Sequence, residues 1–142
     1  MANTRELKIV SEYAINKAAE VLGVTLERKS VRIGSIKSKI FDGVSSDGKI
    51  VAKVINHSGL TSGNNKPNAK IRNTFAECYF LSLTESLNRY LVMTDPEFYH
   101  IFKDESAGLL VANNIQLLLV ELPTEYRNIV SRVTKQASEE MR

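Results

Sequence analysis

The chain of 142 residues has one cysteine, two histidines and three prolines. A lone Cys78 cannot close an internal disulfide or build a cysteine metal cluster, so disulfide scaffolds and zinc ribbons are excluded. Its aliphatic runs, such as Leu117 to Val120, are far shorter than the ~20 apolar residues that cross a bilayer. Behind Arg5 there is no apolar segment of the kind that makes a secretory signal. These absences predict a cytoplasmic protein with no membrane partner. His57 and His100 lie far apart in the sequence, and neither has an acid at ligand spacing. No Gly-x-Ser-x-Gly elbow exists. Gly59 to Lys66 departs from the phosphate-loop pattern in both its glycine spacing and its lysine position.

What is present is ordinary in amount and uneven in distribution. Hydrophobic residues make up 43% and charged residues 25% of the chain, the balance of a globular domain, and the length predicts a single domain over residues 1–142. The net charge is only +3. Between Arg28 and Arg72, however, ten bases face two acids, while the remainder carries nine bases and fourteen acids. Such a charge dipole suits a polyanion. It also suits a lysine-rich sheet edge that resists aggregation.

Periodicity predicts a helix over residues 5–22, with Leu7, Val10, Ala14, Ala18, Val21 and Leu22 on one stripe and Gly23 at its end. A half-exposed strand follows around Val31 and Ile33. Residues 39–44 then form a strand that turns at Ser45-Ser46-Asp47-Gly48 into a mostly apolar, central strand over residues 49–55. The polar segment 56–66 reads as a mobile functional loop. A helix from Pro67 to about Leu87, apolar nearly all round, is expected to pack on more than one side. A buried strand at 90–94, a short helix at 96–103 capped by Asp95, a strand at 115–121 and a final helix from Thr124 complete a layered α/β order.

The turn brings two chemically distinct residues together. Asp42 stands near the end of one strand and Lys53 on the returning one. An acid that holds a divalent cation and a lysine that stabilises developing phosphorane charge suit phosphodiester hydrolysis. A cross-strand ion pair is the simpler alternative.

Helix, three-strand meander with Asp42 and Lys53, helix and strand resemble the αβββαβ core of the restriction-endonuclease-like PD-(D/E)xK superfamily. The likeness runs over about residues 5–104. It implies a three-layer α/β domain with a mixed sheet, to which residues beyond about 109 add a C-terminal strand and helix. Glu12 resembles that family's helix-1 glutamate. Val51 stands where its second acid belongs, two residues before Lys53 and on the same strand face. Glu77, on the second long helix, is the candidate replacement. The resemblance implies a metal-dependent deoxyribonuclease, with Asp42, Lys53, Glu77 and Glu12 catalytic. Asp42 and Glu77 would hold Mg2+ or Mn2+, and Lys37, Lys39, Lys66, Lys70 and Arg72 would contact the phosphates of double-stranded DNA. With the second acid lost, the same resemblance implies a catalytically inactive DNA-binding or assembly subunit, acting as a homo-oligomer or within a larger complex.

Overall fold

The computed structural model describes residues 2–59 and 65–140, with side chains described for 5–59 and 65–134. The elements run α1 (Ala2–Leu22), β1 (Leu26–Ile33), β2 (Lys37–Ser45), β3 (Ile50–Ile55), α2 (Asn68–Ser82), β4 (Asn88–Met93), α3 (Pro96–Glu105), β5 (Ile115–Leu119) and α4 (Thr124–Glu140). The five strands form one mixed sheet in the order β1-β2-β3-β4-β5. β1, β2 and β3 are antiparallel neighbours; β4 is parallel to β3, and β5 to β4. The expected α/β order is therefore present.

Each strand junction follows from local chemistry. At the β2–β3 turn, Gly48 N–H donates to the Ser45 carbonyl at 2.9 Å, while Asp47 Oδ1 accepts from Ser45 Oγ at 2.7 Å and Lys49 N–H at 3.0 Å. These bonds favour the charged form, so the Asp47 carboxyl titrates below its usual range, the Ser45 hydroxyl contributing most. Asp95 caps α3 by accepting the Phe98 N–H at 2.9 Å, with Pro96 in the first turn.

The sheet is covered on both faces. On one, α2 and α3 enclose a core of Phe41, Val51, Leu81, Leu91, Phe98 and Phe102. On the other, α1 sits on Ala52, Val54 and Val92 through Ala14, Ile15 and Ala18. α4 packs against α1, where Tyr13 and Tyr126 lie 4.8 Å apart by ring centroid and Arg132 pairs with Glu6 at 2.6 Å.

α2 differs from expectation in two respects. It ends at Ser82 rather than near Leu87, because the next residues are drawn into other ladders. The Leu83 carbonyl accepts from Gly34, and the N–H groups of Leu87 and Asn88 donate to Lys49, which starts β4. It also packs on one side: Ile71, Thr74, Cys78 and Leu81 are buried, whereas Ala69, Ala76 and Tyr79 face outward. Of the polar segment 56–66, residues 60–64 lie outside the described residues. Its start is pinned: Gly59 N–H donates to Asp95 Oδ2 at 2.9 Å, and Thr94 Oγ1 to Asn56 Oδ1 at 2.8 Å. Among the described residues no helix is long and apolar enough to cross a membrane.

Candidate functional site

The site is built on an irregularity of β2. Lys29 pairs with Phe41 and Glu27 with Val44, so Arg28 alone faces both Asp42 and Gly43. This is a β-bulge, which adds one residue to a strand and resets its alternation. Phe41 and Val44, three positions apart, consequently both enter the α2–α3 core. Gly43 turns toward α1: a Cβ built on it would come within 3.0–3.2 Å of Ile15 and of the Leu26 side chain. Only glycine lets the bulge lie this close beneath the helix.

Past the bulge β2 leaves β3. Their ladder holds at Val44–Val51 and Gly43–Ala52. The next donor on β3, Val54 N–H, is taken at 2.8 Å by Asp42 Oδ2, so the carboxylate replaces the missing strand partner. The same oxygen lies 3.6 Å from Lys53 Nζ, and Oδ1 lies 3.6 Å from an Arg28 guanidinium nitrogen. The Asp42 side chain is only 10% exposed, against 26% for Lys53 and 51% for Arg28. The acid is held inside, and each cation keeps an outward face with unused donors.

On the α1 side Asp42 and Arg28 border a cleft of about 280 Å³. Its far wall is α1, through Lys8, Ser11, Glu12 and Asn16. Glu12 thus shares a cleft with Asp42. Val51, where the resemblance expects a second acid, is fully buried among apolar side chains.

Glu77, on α2, is not among the residues that line the cleft. Phe75 meets Phe102 of α3 at 4.8 Å, whereas Phe80 carries Lys39 of β2 at 4.6 Å over its ring. Glu77 lies one turn before Phe80 along α2. Its Oε2 is buried with no hydrogen-bond partner. Among the described residues, no group of three or more His, Cys, Asp or Glu side chains is placed to hold a metal ion, and Asp42, Glu12 and Glu77 form no such group.

The candidate phosphate contacts occupy two places. Lys39 lies beside Phe80, near the C-terminal end of α2, and Lys37 is exposed at the start of the same strand. At the other end of α2, Lys66 pairs with Glu105, and Lys70 Nζ donates to the Ser58 carbonyl at 3.0 Å and to its Oγ at 3.2 Å. Ten residues of helix separate Lys70 from Phe80, a rise of about 15 Å. Arg72 is exposed between them. His57 stands half-buried, its ring edge-on to Phe98 at 5.6 Å. Burial, and secondly the Lys70 charge, lower its pKa below the ordinary histidine value.

Arg28 is the site residue that spacing alone did not single out. The signal was the glycine inside an otherwise regular strand, a mark of a bulge. No protein-family model, curated protein or solved structure matches the chain.

Proposed function

We propose that the protein is a nucleic-acid-binding domain with a restriction-endonuclease-like layout, in which the cleavage site has become a phosphate-docking site. The strand directions support this reading, since an antiparallel β1–β2–β3 meander followed by a parallel β4 resembles the core of those nucleases. The observation that carries it is Asp42, held between Lys53, Arg28 and Val54 N–H where β2 and β3 part. Two cations fixed on one carboxylate leave a net positive charge and free donors pointing outward, an arrangement that binds phosphate without reading sequence.

The donor set does not fit a resident divalent cation. Magnesium is usually bound through one or two carboxylates plus substrate phosphates. Here the available carboxylate is already engaged by one hydrogen bond and two ion pairs, its expected co-ligand position is an apolar, buried Val51, and among the described residues no group of three acids or other ligands converges. One observation favours the second reading, a Mg2+- or Mn2+-dependent deoxyribonuclease: the buried Glu77 Oε2 on α2, which has no hydrogen-bond partner.

Titration of a labelled DNA duplex by fluorescence anisotropy tests the first reading. Neutralisation of about three to five phosphates gives a log–log salt slope of about −3 to −5. Undetectable binding at low salt, or binding indifferent to salt, overturns it in favour of a protein-interaction domain. Cleavage that needs magnesium or manganese, and is lost in both Asp42→Asn and Glu77→Gln, establishes the second reading instead.

A further inference from the structure

The cleft between α1 and the β2 bulge has a shape that the phosphate-docking reading leaves unused. At about 280 Å³ it lies just below the range for drug-sized pockets, roughly 300–1,000 Å³. Its lining includes two apolar residues, Ile15 and Leu26, both almost fully buried. Above them stand Lys8 and Arg28 as cations, and Glu12 and Asn16 as groups that accept or donate hydrogen bonds. Apolar area with a few convergent polar groups is how a pocket takes a flat, partly polar molecule. A DNA duplex, which needs a broad open surface, does not enter such a space; one unstacked nucleotide does.

We infer that this cleft is a pocket for a single unstacked nucleotide of a strand bound along the adjoining Arg28–Asp42–Lys53 cluster. The inference rests on the nucleic-acid reading and names its preferred ligand: a single strand, or a duplex with a single-stranded end. In the bound state the base rests on Ile15 and Leu26, Glu12 and Asn16 meet its polar edge, and Lys8 and Arg28 face its phosphate. Arg28 and Asp42 themselves line the cleft, so pocket and phosphate cluster share two residues. One flank is tied to the Asn56 segment, whose side-chain amide donates to Ser11 Oγ at 3.5 Å.

Three labelled DNAs test this at low salt: a blunt duplex, the same duplex with a single-stranded overhang, and the overhang strand alone. The overhang duplex and the single strand are expected to bind roughly tenfold more tightly than the blunt duplex, the size of one base–side-chain contact. Asn16→Trp, an exposed helix position, fills the cleft and is expected to erase that difference. Glu12→Trp, one turn away and also exposed, serves if Asn16→Trp fails to fold, as judged by its thermal transition. Equal affinity for all three DNAs, or a preference that survives both tryptophans, overturns the pocket but leaves the nucleic-acid reading standing. Absence of binding to any of the three overturns both. A free mononucleotide that competes as strongly as the strand also overturns it, in favour of a small-nucleotide site.

Discussion

The two faces of the sheet are packed by different means. The α2–α3 face is filled by large rings: Phe41, Phe98 and Phe102 are fully buried, with Phe98 stacked on Phe102 and Phe75 tilted against it. Among the described residues the α1 face has no buried ring and mixes aliphatic with small residues, with Ala14, Ala18 and Ala52 fully buried and Gly43 beneath Ile15. Large side chains seal a face; small ones let backbones approach and leave room at the margin. The cleft, Arg28 and the accessible side of Asp42 all belong to the second face. The ring-filled core and the cleft thus lie on opposite sides of one sheet, while Lys53, which alternates with Val51 and Ile55, reaches toward Asp42 from the α2–α3 side.

If this division holds, the two faces respond to opposite changes of volume. Truncation is severe on the ring-filled face: Phe102→Ala should lower unfolding stability by about 3–5 kcal/mol in urea titrations, since the ring is wholly buried and its neighbours cannot close the space. Enlargement is what harms the other face. Gly43→Ala should cost about 1–3 kcal/mol, because its methyl meets Ile15 Cδ1 at 3.0 Å. Ile15→Val removes that very carbon, so the double variant should be more stable than the two single costs added together, a coupling that a double-mutant cycle measures. A neutral Gly43→Ala, or strict additivity with Ile15→Val, would break the picture of α1 pressed onto the bulge.

Much of this was legible from residues alone, and the parts that were not share a cause. The Asp-Gly turn, the Asp95-Pro96 helix start and the apolar run of β3 are local signals, and each appears where local chemistry put it. The bulge is not local. Asp42 and Gly43 alternate normally in sequence, and only the offset pairing with β1 places Arg28 opposite both. The end of α2 was misplaced for a similar reason: Leu83 and Leu87 continue the apolar content of the helix, but the Leu83 carbonyl is claimed by Gly34 and the Leu87 N–H by Lys49. The nearness of Asp42 and Lys53 was readable from the hairpin. The third member, Arg28, was not, because it comes from an edge strand whose register no short pattern encodes.

The smallest expected effect lies where the two faces meet. The segment after β3 touches both: Asn56 reaches Ser11 of α1, and His57 rests against Phe98 of the ring-filled core. Burial lowers the His57 pKa from its ordinary value of 6.5, and the Lys70 charge adds to the shift. The unfolded chain therefore takes up a proton at a higher pH than the folded one. By linkage the contribution of His57 to stability is complete above 6.5 and is lost as pH falls through the folded pKa. Asp47 gives a loss of the same sign in a lower window, since its depressed pKa starts from 3.8. Thermal transitions recorded from about pH 8 to about pH 5 isolate the histidine. The wild type should lose stability across the acidic half of that range, and His57→Gln, which cannot titrate, should show a shallower decline. Parallel curves for the two proteins would mean that His57 is as hydrated when folded as when unfolded, and that the pinned start of this segment opens independently of the Phe98 core.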